Sequence, residues 1–209
     1  MVSAGPTYEK IDPVRYIGNY SSGKMGYAIA EKLADEGAKV ILVSGPVSVA
    51  TQKSGINLIL VESAHEMYDA CIKYFPQCDG AVMTAAVADF TPVNPFSEKN
   101  KRGKENWSIE MKPTRDIAAT LGSMKKEKQL LVGFALETNN EKENARRKLK
   151  NKNLDFIVLN SLNDKGAGFG MDTNKITIIG KNNIQQAFEL KNKIEVADDV
   201  VERMLSLLD

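Results

Sequence analysis

The 209-residue sequence predicts an α/β protein built on a mainly parallel sheet with helices on both faces, plus a small β-hairpin extension. Three observations predict it. Through the first 160 residues, apolar strand-like runs alternate with amphipathic stretches of helical period, the arrangement that a covered parallel sheet requires. Near the end, two apolar runs flank Gly180-Lys-Asn-Asn, a hairpin signal. The composition, 43% hydrophobic and 26% charged, is that of a globular chain long enough to bury a substantial core.

The elements follow in order. Val2-Ser3-Ala4 is a strand stub that starts almost at Met1, which suggests a chain cut from a longer polypeptide; a naturally short strand is the alternative. Met25, Ile29 and Leu33 recur every four residues and give the first helix a buried stripe. Strands are expected at residues 40–44, 80–87, 130–135 and 156–160, and further helices at 64–74, 114–126 and 141–151. Glu141 and Glu143 suit the positive end of the last of these. Trp107, Ile109 and Met111 alternate with Ser108 and Glu110, the pattern of a half-buried strand. Residues 175–190 form the hairpin, expected outside the main sheet, and a helix over 197–208 closes the chain. With no repeat or linker, residues 1–209 read as one domain.

Charge and cysteine use narrow the function. Lys+Arg number 28 against 27 Asp+Glu, so there is no global basic field for nucleic acid and any anion site is local. Cys71 and Cys78 form no disulfide scaffold and lack metal-ligand company, which points to a reduced, cytoplasmic setting. No signal peptide is visible, and no apolar run reaches the roughly 18 residues that suggest a membrane span. His65 reads as a surface or packing residue.

The segment Gly18-Asn-Tyr-Ser-Ser-Gly-Lys-Met-Gly26 precedes a helix and offers small residues, two hydroxyls and a lysine. Backbone N–H groups at such a helix start hold anions; a Ser/Gly-rich turn that only caps the helix is the plainer reading. The P-loop pattern matches through Lys24 but fails at Met25, where a hydroxyl must reach magnesium. The dinucleotide fingerprint fails too: the second strand ends Val43-Ser44-Gly45-Pro46, with no acid for a ribose. A nicotinamide-dependent reductase is thereby disfavoured. Lys99, Lys101, Arg102 and Lys104 form a basic run that is either a solvated loop or an anion contact. It follows Ala85-Ala-Val-Ala-Asp89, read as a strand ending in an acid able to meet Mg²⁺ or a sugar hydroxyl. Lys148 and Lys152 share a helix face, a small cost in solvent that becomes a gain beside a polyanion. Phe134 is either core or a platform for a nucleobase.

The run Ala4-Gly-Pro-Thr-Tyr-Glu-Lys-Ile-Asp-Pro-Val-Arg15, continuing through Asn19-Tyr-Ser-Ser-Gly-Lys-Met-Gly26, resembles phosphopantothenoylcysteine synthetase. In many bacteria that family is the C-terminal half of a bifunctional coenzyme A biosynthesis flavoprotein. Ala85–Asp89, Lys99-x-Lys-Arg102, Val132-Gly-Phe-Ala-Leu-Glu-Thr138 and Phe169-Gly-Met-Asp-Thr-Asn174 extend the similarity over essentially the whole chain. The resemblance implies a ligase that joins 4′-phosphopantothenate to L-cysteine, with CTP activating the carboxylate as an acyl cytidylate and Mg²⁺ as cofactor. It places Asn19 and Lys99 in catalysis, and Lys99 together with Met83, Thr84, Ala85, Asp89, Arg115, Asp116, Ile117, Ala118, Phe134, Lys148 and Lys152 around CTP, with Asp89 the metal candidate. Arg15, Ser21, Ser22 and Gly23 are its candidates for holding substrate phosphate or carboxylate. It also implies a homodimer, with the 175–190 hairpin as contact, and a fused flavin-dependent decarboxylase domain. Three positions depart from the family: Asn100 for an apolar residue, Leu136 for a small one and Arg115 for proline. A non-catalytic anion-binding module is the remaining alternative.

Overall fold

The computed structural model describes residues 1–103, 106–161, 170–182 and 184–208; Lys104 and Phe169 lie outside them. The chain begins β1 (Val2–Ala4), β2 (Tyr8–Lys10), β3 (Tyr16–Gly18), α1 (Lys24–Asp35), β4 (Val40–Ser44) and β5 (Ile56–Leu60). It continues α2 (Ala64–Tyr74), β6 (Gly80–Met83), β7 (Phe90–Pro92), β8 (Met111–Pro113), α3 (Ile117–Met124) and β9 (Leu130–Glu137). The last part holds α4 (Glu141–Asn151), β10 (Phe156–Ser161), β11 (Thr173–Asn174), β12 (Ile176–Gly180), β13 (Gln185–Ala187), β14 (Lys191–Asn192) and α5 (Lys193–Leu205).

One sheet organises these elements, in the order β13-β12-β10-β9-β6-β1-β4-β5. From β10 to β5 every neighbouring pair is parallel, and β12 and β13 add antiparallel strands at one edge. The α/β reading is therefore correct. Each face has its own core. Ile29 and Ala30 of α1 and Val196, Val200 and Val201 of α5 pack with Val2, Leu42, Val132 and Val158. On the other face Met67 and Cys71 of α2, Ile117 and Leu121 of α3, and Leu149 of α4 pack with Val43, Ala81, Leu131 and Ile157. Met25 and Leu33 flank the buried Ile29, as their spacing predicts. Helices α2, α3 and α5 begin on side-chain caps: Ser63 Oγ accepts from Glu66 N, Asp116 Oδ1 from Ala119 N, and Asn192 forms a capping box with Glu195.

Several expectations are corrected. The strand expected over 80–87 stops at Met83; beyond it Ala86 makes one bridge to Pro6 and the chain turns along the end of the sheet. Asp89 is thus not a strand end. Trp107 to Glu110 is irregular, and only Met111–Pro113 pairs, antiparallel to β7. The hairpin at 175–190 exists, but its strands extend the main sheet instead of standing outside it. Ile176, Ile178 and Ile179 of β12 are each about 1% exposed and belong to both cores. Burying such a side chain is worth about 1.5–3 kcal/mol, which a free-standing two-stranded hairpin cannot gain. The region between β1 and the Gly18 loop holds the β2–β3 hairpin. Its strands of three residues are too short for a periodicity signal, and the turn is set by Asp12, whose Oδ1 accepts from Val14 N and Arg15 N at 2.9 Å. The edge strand β5 was also not anticipated.

Candidate active site

Chain order reverses direction across β1. Its neighbour β4 leads away to the β5 edge, while β6, on the other side, begins the run to β9 and β10. In open α/β sheets, helix starts splay apart at such a point and leave a crevice beyond the strands' carboxyl ends. A cavity of about 530 Å³ fills it here. Ser3 of β1, Met83 of β6 with residues 84–87 after it, residues 133–136 of β9 and Asn160 of β10 make its floor. The starts of α1 and α3 make its walls.

Gly23 holds φ +76° as the residue before α1, and no side chain caps the helix. The N–H groups of the first turn thus stay available to an anion. Gly26 lets α1 lie on the floor: a Cβ there would stand 2.5 Å from Thr84 Oγ1 and 2.6 Å from Ala4 Cβ. Five cations line the cavity (Lys24, Arg115, Lys148, Lys152 and Lys193) against the carboxylates Asp89 and Asp116. All five are already engaged, Lys193 by the Met171 carbonyl among others. Lys24 meets Asp172 at 2.6 Å, Lys148 meets Glu137 at 2.7 Å, Lys152 meets Asp116 at 2.8 Å and Arg115 meets Asp69 at 3.1 Å. Arg115 also stacks on Tyr68 at 3.8 Å and bonds the exposed His65, which is therefore a partner of a cavity residue. A bound polyanion would exchange these pairs rather than meet bare charges. Burial, followed by repulsion from Lys24, holds the Lys193 ammonium below the ordinary lysine range. Burial raises the Asp116 carboxyl, but Lys152 and the backbone N–H groups at the start of α3 outweigh it and leave it below the ordinary value.

A profile of the family described as DNA/pantothenate metabolism flavoprotein C-terminal domain matches residues 1–208. The chain belongs to this family. It is similar, at 45% identity over 207 residues, to the coenzyme A biosynthesis bifunctional protein CoaBC of Bacillus subtilis, covering 99% of this chain and 51% of that protein. It is 56% identical over 207 residues to a cysteine/cysteine sulfinic acid decarboxylase of an unknown prokaryotic organism, covering 99% of this chain and 58% of that one. The chain therefore spans little more than half the length of these curated relatives. A crystal structure of the C-terminal domain of CoaBC superposes with a TM-score of 0.83 at 42% identity, covering 99% of this chain and 93% of that one.

In this member of the flavoprotein C-terminal domain family, the cavity brings together Met83, Thr84, Ala85, Asp89, Arg115, Asp116, Ile117, Ala118, Phe134, Lys148 and Lys152, along with Ser21, Ser22 and Gly23. Asn19, Arg15 and Lys99 are not on its wall. Asn19 Nδ2 donates to the carbonyls of Ala86 and Val87 at 2.9 and 3.2 Å and so pins the floor from outside. Arg15 is committed to Asp12 and to the Asn100 carbonyl at 2.8 Å, and lies 4.8 Å over Trp107. It thereby ties the loop bearing Lys99, itself exposed, to the β2–β3 hairpin. Ser3, Asn160, Asn174 and Lys193 line the cavity without having been singled out. Asn160 carried a usable signal, a polar residue closing an apolar strand; Lys193 carried none, since only the fold brings α5 beside α1.

As for metal, no cluster of three acidic, cysteine or histidine side chains occurs among the described residues. Asp89 and Asp116 suit a magnesium ion that arrives on phosphates, which needs only one or two carboxylates from protein.

The Asp12–Arg15 pair predicts an acid-sensitive junction. Arg15, reinforced by backbone N–H groups against the cost of burial, holds the Asp12 carboxyl well below the usual range. A depressed carboxyl contributes stability that is complete above its unfolded value of about 3.9 and is lost as pH falls through the folded one. Fluorescence of Trp107, the single tryptophan, is expected to hold steady from pH 7 to about 4 and to change only below that. Asp12→Asn is expected to show the change already at pH 7.

Proposed function

We propose that this chain is a phosphopantothenate–cysteine ligase of coenzyme A biosynthesis, acting in the cytoplasm as a homodimer beside a flavin-dependent decarboxylase domain. The reading is supported chiefly by one observation: family membership coincides with a cationic cavity at the carboxyl end of the sheet, lined by eleven of the twelve residues expected around CTP. The missing one, Lys99, is exposed on the loop that follows β7.

In the reaction we propose, a carboxylate oxygen of 4′-phosphopantothenate attacks the α-phosphorus of CTP and pyrophosphate leaves with the broken P–O bond. The cysteine amine then attacks the acyl carbon; CMP departs with the C–O electron pair and the amine loses a proton as the amide forms. Lys148, Lys152 and the N-terminus of α3 neutralise the triphosphate, while the floor pinned by Asn19 presents the acyl cytidylate. Magnesium, when bound with the phosphates near Asp89, supplies further charge neutralisation. For the dimer, β13 at the sheet edge offers exposed Gln185 to Ala187, whereas β12 is interior.

A pyrophosphate-release assay with each nucleoside triphosphate tests this. Release is expected only with phosphopantothenate and CTP together, and CMP only once cysteine is added. No release with any nucleotide overturns the proposal. The relative named for decarboxylation favours a second reading, which predicts carbon dioxide from cysteine or its sulfinic acid without nucleotide. Asn19→Asp is expected to release one equivalent of pyrophosphate and accumulate the acyl cytidylate; wild-type CMP formation would remove Asn19 from its role.

A further inference from the structure

Asn160 is the penultimate residue of β10, in register with Leu136 of β9 on one side and Ile176 of β12 on the other. Side chains alternate along a strand, so Asn160 shares the sheet face of Phe156 and Val158, which pack in one core cluster with Phe134. Phe134 is the register partner of Val158, so it lies one pleat from Asn160, and both line the cavity. The Asn160 Oδ1 is shut off from solvent and has no hydrogen-bond partner among the described residues.

A buried amide oxygen without a donor costs more than a made hydrogen bond gains, and packing alone gives no reason to keep one. Phe134 and Leu136 are the apolar lining nearby in the fold. A flat ring with an N–H at its edge satisfies both features at once. The cations Arg115, Lys148 and Lys152 belong to the α3 and α4 side of the sheet, while Lys24 and Lys193 on the Phe134 side are engaged by Asp172 and the Met171 carbonyl, which favours the Phe134 side for the other end of a nucleotide.

Building on the nucleotide reading above, we infer that Asn160 selects the base: Oδ1 accepts a hydrogen bond from the exocyclic 4-amino group of cytosine. Uracil has the same shape but presents a carbonyl oxygen there, which sets acceptor against acceptor. A site that leaves a buried polar group unmatched rejects the wrong isostere strongly.

Titrations of CTP and UTP against the wild type, Asn160→Leu and Asn160→Ser test the assignment. The wild type is expected to bind CTP at least about tenfold more tightly than UTP. Both variants are expected to weaken CTP about tenfold while UTP changes less than about twofold, so that the ratio collapses. The serine variant leaves room at the site and covers the case in which leucine prevents folding. A CTP/UTP ratio unchanged in a folded variant, or a wild type indifferent to the base, overturns the role of Asn160 and leaves the nucleotide reading intact. Binding of neither nucleotide by the wild type overturns both.

Discussion

Gly45→Ala is expected to lower the melting temperature by about 6–12 °C, the equivalent of about 3 kcal/mol in a chain of this size. Gly45 follows β4 and packs against the segment leaving β1. A Cβ built on it would stand 1.7 Å from the Pro6 carbonyl oxygen and 2.9 Å from its carbon. Backbone cannot rotate aside as a side chain can. Gly45 N also donates to Ala4 O at 2.9 Å, which holds the two segments at this separation. Relief requires moving Gly5-Pro6, and Gly5 O accepts from Ala86 N at 2.9 Å, so the cavity floor moves with it. The variant is therefore expected to lose nucleotide affinity along with stability. A thermal melt within 2 °C or so of wild type would show that the close approach is not a constraint.

Lys152→Gln is expected to weaken CTP binding by about 10- to 100-fold, or about 1.4–2.7 kcal/mol. Lys152 follows α4, and its Nζ reaches both Asp116 oxygens, at 3.1 and 2.8 Å. Asp116 is also the cap of α3, so Lys152 neutralises a carboxylate at the helix start that is expected to face phosphate. Without the lysine, a cation is lost and an unpaired anion repels the ligand. The cap to Ala119 N does not depend on Lys152, so the fold should persist, and calorimetric titration on a variant melting like wild type isolates the binding term. The loss should shrink as salt is raised, because the contribution is ionic. Unchanged affinity would place the triphosphate elsewhere.

Much of the site was legible because its cues are local. Lys148 and Lys152 share a helix face by spacing alone, and Gly23 before α1 marks an anion-ready turn from composition. The resemblance supplied residues 115–118, whose position at the start of α3 the fold then explained. What escaped was long-range. Lys193 comes from the far end of the chain, and Arg15, read as an anion holder, also holds Asp12 and the Asn100 carbonyl, contacts that sequence spacing does not reveal.

The sequence by itself determined the kind of protein: periods of apolar residues are local properties, so most of the central parallel strands, the helices and the α/β class followed from them. Only the tertiary structure decided where 175–190 sits, because burial of β12 on both faces depends on β10 and on α5. It alone also showed that the chain leaves β6 at Met83 to floor a cavity, and that the Asn160 oxygen is buried without a donor among the described residues. Satisfaction of a polar atom is a sum over neighbours distant in sequence, and it exists only once the chain has folded.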